Sequence, residues 1–68
     1  MKKVLIIGVS GFIGKELYHS LTNDYQVHGI SRSKVDLPNC SMIDVMNEEQ
    51  LITYFSNHEF DVVINLAA

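Results

Sequence analysis

The chain has one cysteine, one proline and no tryptophan in 68 residues. A single cysteine excludes an internal disulfide, and no recognisable motif sets a histidine beside Cys40 to activate it. Cys40 therefore reads as a small buried or half-buried strand residue, in keeping with a reducing cytosol. His19, His28 and His58 lack ligand spacing of the H-x-x-x-H kind, so no metal centre is expected and they read as ordinary helix, strand and loop residues. Basic clusters are also missing, and 5 Lys+Arg against 8 Asp+Glu leave a net charge of −3, which speaks against nucleic acid as a partner. No apolar run is long enough for a membrane span, and Lys2-Lys3 leads straight into a strand and turn rather than a signal peptide. No membrane partner and a cytoplasmic location are the expectation. At 68 residues the chain is one domain at most, and a domain of this size buries only about 60% of its unfolded surface. A hydrophobic content of 47% nevertheless suits a packed chain and not a disordered one.

Against these absences stands one information-rich stretch, Val4-Leu5-Ile6-Ile7-Gly8-Val9-Ser10-Gly11-Phe12-Ile13-Gly14. Four apolar residues with β-branching suit a strand covered on both faces, as in a parallel sheet. Gly8, Gly11 and Gly14 follow at three-residue intervals. Gly8 allows a sharp turn out of the strand, Gly11 leaves room for a pyrophosphate at the backbone, and Gly14 lets helix and strand pack closely. The free N–H groups and positive dipole end of the helix favour a phosphate, and Ser10 adds a hydroxyl donor. A glycine triplet alone is weak evidence. Its place after an apolar strand and before an amphipathic helix is the context that a dinucleotide-binding βαβ unit requires.

The first strand is predicted over about 3–7 and the first helix over about 11–22. Ile13, Leu17 and Leu21 lie four apart on one face of that helix, with Phe12 beside them. Asn23-Asp24 is the expected stop, since Asn tolerates the left-handed conformation. A second strand is predicted over 25–30 and a third over 40–45, with the loop containing the only proline between them. Asn47 is placed to cap a second helix reaching about residue 57, with Gln50 reaching back in capping-box fashion and Glu48 and Glu49 at the positive dipole end. Leu51, Ile52 and Phe55 form its predicted apolar face. A fourth strand is predicted over 61–67. The order β-α-β-β-α-β, with parallel right-handed connections, predicts the N-terminal half of a Rossmann-type doubly wound parallel sheet with strand order 3-2-1-4. Gly8 to Gly14, Ser31 to Lys34, Asp44-Val45 and Asn65 to Ala67 would then converge at the carboxyl edge, beside the switch point.

In an NAD-binding unit of this kind an acidic residue near the end of the second strand accepts the ribose hydroxyls. None occurs between Gln26 and Lys34; Arg32 stands there instead, with Ser31, Ser33 and Lys34 around it. Arginine forms bidentate charge-assisted bonds to a phosphate, so the preferred cofactor is NADP and NAD is the alternative. A solvated surface turn would have the same residue types, and both readings stay open at the level of sequence.

These segments together resemble the N-terminal part of the extended short-chain dehydrogenase/reductase family. The matching pieces are Gly8-Val-Ser-Gly11-Phe-Ile-Gly14, Ile43-Asp44-Val45 and Asp61-Val-Val-Ile-Asn65-Leu-Ala-Ala68, and the likeness is strongest to dTDP-4-dehydrorhamnose reductase-like members and related nucleotide-sugar epimerases and dehydratases. The resemblance implies pyrophosphate binding by the backbone at Gly8, Gly11, Phe12 and Ile13, and a 2′-phosphate contact at Arg32. It further implies an adenine contact at Asp44 with Val45 nearby, and Leu66 and Ala67 against the adenosine ribose. Ile7 departs from the threonine common at that place in the family. The catalytic Ser/Thr and Tyr-x-x-x-Lys of the family have no counterpart: Tyr18, Tyr25 and Tyr54 are not followed by lysine four residues later, so no catalytic residue is assigned.

The resulting expectation is an incomplete cofactor-binding segment of an NADP(H)-dependent nucleotide-sugar reductase, epimerase or dehydratase, with the sugar nucleotide bound only by the complete chain. A non-catalytic NADP(H)-binding regulatory module and an inactive folded fragment are the alternatives, since one fold hosts all three. Two helices are too few to cover both faces of four parallel strands, so self-association through the exposed sheet is also expected.

Overall fold

The computed structural model describes residues 1–67; Ala68, the last residue of the stretch resembling the reductase family, lies outside the described residues. The chain runs β1 (Lys3–Ile7), α1 (Phe12–Leu21), β2 (Gln26–Ser31), β3 (Cys40–Met42), α2 (Glu48–Ser56) and β4 (Val62–Asn65). All pairings are parallel and the sheet order is β3-β2-β1-β4, as the alternation of strands and helices predicts. β1 is central: Val4 lies beside Val27 on one side and Val62 on the other. Its residues Val4, Leu5 and Ile6 are buried, as an apolar run covered on both faces requires.

The side-chain alternation of the strands divides the core in two. Ile6, Val9, Val27 and Tyr18 pack together on the α1 face, with Leu17, Leu21, Val35, Leu37 and Cys40 around them. Leu5, Ile30 and Tyr54 pack on the α2 face, joined by Ile7, Ile43, Val45, Leu51 and Phe60. An aromatic layer fills the space beneath α2. Tyr54 stacks on His58 with ring centroids 4.3 Å apart, and His28 of β2 meets Phe60 edge-on at 5.5 Å and His58 at 5.9 Å. His58 is fixed at the helix end, where its Nδ1 lies 2.8 Å from the Tyr54 carbonyl oxygen.

Several sequence expectations are corrected by this packing. Phe12 and Ile13 do not join the buried stripe of α1; they are 81% and 68% exposed, because the first turn sits at the carboxyl edge of the sheet. Gly14 and Tyr18 take the inward face, with Leu17 and Leu21 at its flanks. In α2 the buried position belongs to Tyr54, while Ile52 is exposed and Phe55 borders on it. His28 in β2 and His58 after α2 stand in strand and loop as expected, and the fold makes them neighbours across the α2 layer. α1 ends without a left-handed Asn23: Thr22 N–H bonds Tyr18 O and Asp24 N–H bonds Leu21 O, and Asn39 is the one described non-glycine residue at positive φ.

β2 is shifted by one residue, taking in Ser31 and leaving out Tyr25. β3 is shorter than predicted because Asp44 breaks the ladder: its Oδ1 accepts from Met46 N–H at 2.9 Å and its carbonyl from Asn47 N–H at 2.9 Å. β4 stops at Asn65, whose Oδ1 accepts from Ala67 N–H at 3.0 Å. Asn47 caps α2 as expected, accepting from Gln50 N–H at 3.2 Å, but Gln50 Oε1 accepts from Asp44 N–H at 3.0 Å rather than from Asn47.

Two outcomes follow from the packing of β2. A Cβ at Gly29 would lie 2.7 Å from Val9 Cγ1 and 2.9 Å from Cys40 Sγ, so Gly29→Ala is expected to destabilise by about 1–3 kcal/mol in urea unfolding. Burial holds the His28 imidazole below its ordinary range, and Lys3 and His58 push it the same way. The folded state then binds fewer protons than the unfolded one. Stability from this term is complete above about pH 6.5 and declines as pH falls below it. Melting temperatures between about pH 7 and about pH 5 should therefore fall more steeply for the parent protein than for His28→Leu.

Candidate cofactor site

Where β1 ends, Gly8 takes φ +88°, a conformation that side chains resist, and the chain swings toward β2. Both Gly8 N–H and Val9 N–H donate to the Ile30 carbonyl, at 2.9 and 3.3 Å. The Val9 side chain is fully buried against Gly29, which locks the turn from the α1 side. α1 then starts directly on top of the turn. A Cβ at Gly14 would lie 2.6 Å from Gly8 O and 2.8 Å from Val9 Cα, both backbone atoms that cannot yield. Around Gly11 there is open space instead, the nearest atom to a Cβ there being Gly8 O at 3.7 Å. Gly14 is thus needed for contact within the chain, while Gly11 leaves the backbone approachable from outside.

The two helix starts differ in a way that bears on charge. α2 is capped by Asn47 and carries Glu48 and Glu49 in its first turn. α1 has neither a side-chain cap nor an acidic residue in its first turn, and Gly11, Phe12 and Ile13 around its start are exposed. Its N-terminal N–H groups and partial positive charge face outward, an arrangement suited to an anion.

A cleft at the carboxyl edge gathers four distant segments. Ile7, Gly8 and Ser10 come from the first turn, Ile30 to Ser33 from the end of β2, Ile43 to Met46 from beyond β3, and Ala67 from beyond β4. Of the predicted site residues, Gly8, Ser10, Ser31, Arg32, Ser33, Asp44, Val45 and Ala67 line it together. Leu66 and Ala67 lie so near the turn that a Cβ at Gly8 would meet Leu66 C at 3.2 Å and Ala67 N at 3.0 Å. Gly11, Phe12 and Ile13 stand exposed beside the cleft, and Gly14 is buried beneath the turn.

The polar groups divide by role. Arg32 is the cation of the cleft lining and is exposed, whereas Asp44 is its anion and uses one carboxylate oxygen to hold its own turn. Ser31 is 5% exposed and its Oγ accepts from Ser33 N–H at 3.1 Å, so this hydroxyl shapes the loop that presents Arg32. Lys34 is exposed but does not line the cleft. Ile7, Ile30, Ile43 and Met46 also line it, although the sequence reading assigned them no part. Three of these are apolar residues ending or following strands, indistinguishable from core in a linear pattern. Their place at the carboxyl edge was the available signal.

None of the tyrosines lines the cleft. Tyr18 is buried on the α1 face and Tyr54 on the α2 face, and burial pushes both phenols up, away from ready proton exchange. Cys40 is half-buried, with its thiol likewise pushed up by burial, as suits a packing residue. Among the described residues no group of three or more His, Cys, Asp or Glu is placed to hold a metal ion, and no helix is long and apolar enough to cross a membrane. The arrangement sets an exposed, uncapped helix start beside a cleft lined by one cation, Arg32, and one anion, Asp44, chemistry suited to an anionic ligand.

No solved structure matches this chain. The model of the NAD-dependent epimerase/dehydratase family matches residues 4–68, nearly the whole sequence and all four segments of the cleft. With a parallel 3-2-1-4 sheet, a glycine turn opening onto an uncapped helix and this match, the chain belongs to the NAD-dependent epimerase/dehydratase family, and a nicotinamide dinucleotide is the cofactor that membership implies.

Proposed function

We propose that this segment binds the adenosine end and pyrophosphate of NADP(H), as part of a nucleotide-sugar reductase, epimerase or dehydratase of the dTDP-4-dehydrorhamnose reductase-like branch. The observation that carries the NADP preference is Arg32, exposed at the end of β2 and lining the cleft with no carboxylate between Gln26 and Lys34 to oppose a phosphate. Backbone N–H groups at Phe12 and Ile13 face the pyrophosphate and Ser10 offers a hydroxyl, whereas the N–H groups of Gly8 and Gly11, expected from the sequence to join them, are already engaged on Ile30 O and Gly8 O. Asp44 receives the adenine amino group on the oxygen not engaged by Met46, with Val45, Leu66 and Ala67 against the nucleoside. The bound dinucleotide supplies hydride acceptance and donation; these residues bind and orient it. A single half-buried thiol suits a reducing compartment such as the cytoplasm.

The edge strand β4 supports a further proposal, self-association of two copies. Val62 and Val63 point to opposite faces of β4, which lies at the sheet edge among the described residues, and they are 45% and 47% exposed. Sedimentation of the 68-residue chain is expected to show a dimer or larger species, shifted toward monomer by Val63→Lys. A monomer across the accessible concentration range excludes it.

Calorimetric titration with NADP+ and NAD+ tests the cofactor reading. Arg32→Ala is expected to weaken NADP+ binding by about tenfold to about a hundredfold, the range for charge-assisted hydrogen bonds, and to leave NAD+ within about twofold. Equal losses for the two dinucleotides would remove Arg32 from 2′-phosphate recognition. Normal NADP+ affinity of the native gene product, with no turnover of any nucleotide sugar, would favour a regulatory binding module over an enzyme.

A further inference from the structure

The segment joining β2 to β3, residues 32–39, carries Arg32 and is held in place from several sides. Ser31 Oγ anchors its beginning through Ser33 N–H. Val35 and Leu37 pack against the core cluster of Ile6, Val9, Tyr18 and Val27. At its end Asn39 adopts φ 61° and its carbonyl accepts from Gly29 N–H at 3.1 Å. Between the packed part and that end, the Tyr18 hydroxyl of α1 donates to the Pro38 carbonyl at 2.7 Å.

The Tyr18 contact is unlike the others in chemistry. Tyr18 is 4% exposed, and a phenylalanine ring would fill the same core space without a polar group to bury. A buried hydroxyl is costly unless it is paired, and here its partner is the loop. Burial also pushes the phenol up, so it remains a donor throughout the neutral range. The glycine turn and the Arg32 loop are thereby linked through one helix: α1 begins over Gly8 and Val9 and, one and a half turns later, grips Pro38.

We infer that Tyr18 is a positioning residue for dinucleotide selectivity, holding the 32–39 loop so that Arg32 is presented to the 2′-phosphate without first having to be ordered. The inference rests on the NADP reading above. A loop tethered on both sides of its exposed Arg32-Ser33-Lys34 stretch loses little conformational freedom when the phosphate arrives, and a loop released at Pro38 loses more. Tyr18 touches neither the cleft nor Arg32, so its influence runs through Pro38 and the backbone.

Tyr18→Phe keeps the ring and removes the bond. In the native gene product it is expected to weaken NADP+ binding about fivefold, a typical loss for one hydrogen bond, while NAD+ affinity stays within about twofold. In an Arg32→Ala background the same change should add no further loss for NADP+, since the two act through one contact. Trypsin cleavage after Arg32 and Lys34, measured without cofactor, should accelerate in Tyr18→Phe. Leu37→Ala, which loosens the loop from its apolar side and leaves the Tyr18 hydroxyl and its Pro38 partner in place, should shift the NADP+/NAD+ ratio in the same direction. Equal losses for both dinucleotides, or additive losses in the double variant, overturn the selectivity role. An unchanged trypsin rate overturns the clamp itself. An unchanged ratio in Arg32→Ala alone overturns the NADP reading, and the selectivity role falls with it.

Discussion

The carbonyl of Ile30 accepts two N–H groups, from Gly8 and Val9, and much of the molecule hangs on that junction. It bends the chain at the end of β1 toward β2, so that Val9 drops into the space a side chain at Gly29 would occupy. With Val9 seated, α1 can begin directly over the turn, because Gly14 brings no Cβ against Gly8 O and Val9 Cα. The uncapped helix start then lies beside the cleft, and Leu66-Ala67 closes on the other side of Gly8. A polar junction of this kind holds geometry more than it adds stability, since one backbone hydrogen bond contributes only about 1 kcal/mol net. Its consequence is positional: the backbone of the glycine turn is fixed by contacts within the sheet itself.

The two faces of the sheet serve different ends. The α1 face is tight, with Gly14 and Gly29 leaving no room for a Cβ between the helix, the turn and β2. It also includes the inner residues of the Arg32 loop, Val35 and Leu37. The α2 face is thick and aromatic, with His28, Tyr54, His58 and Phe60 layered between helix and strands. His28 Nε2 and Tyr54 OH are buried there without hydrogen-bond partners. Each such group costs desolvation that no hydrogen bond offsets, and both lie on the face of the sheet opposite the α1 packing.

Much of this architecture was legible from residue order. The apolar run of β1, the glycine spacing and the Asn47 cap each rest on local rules of backbone sterics and hydrogen bonding, and each stands where it was expected. Parallel sheet order follows from the sequence of elements together with the handedness of crossovers, and it too agrees. The errors fall where local rules compete with neighbours. Ile13 satisfies the helical period yet lies outside the buried face, because periodicity says which residues share a side and not how far the sheet extends beneath them. Asp44 ends β3 early because its carboxylate accepts from the backbone N–H of Met46, an alternative to the ladder that a strand-like pattern conceals.

By itself the sequence determined the class of fold, the glycine turn that opens α1 and the absence of a carboxylate between Gln26 and Lys34, because these depend on residue type and on spacing within a few positions. Tertiary structure decided which side chains share an environment. Only folding brings Tyr18 to Pro38, twenty residues away, and sets His28 against His58 across the α2 layer. Gly29 shows the same division. In the linear pattern it is a weak point in a strand; in the folded chain its missing side chain is the space that Val9 fills, and through Val9 it holds the turn. Contacts of that range are fixed by how the layers close on each other, which no short window of residues contains.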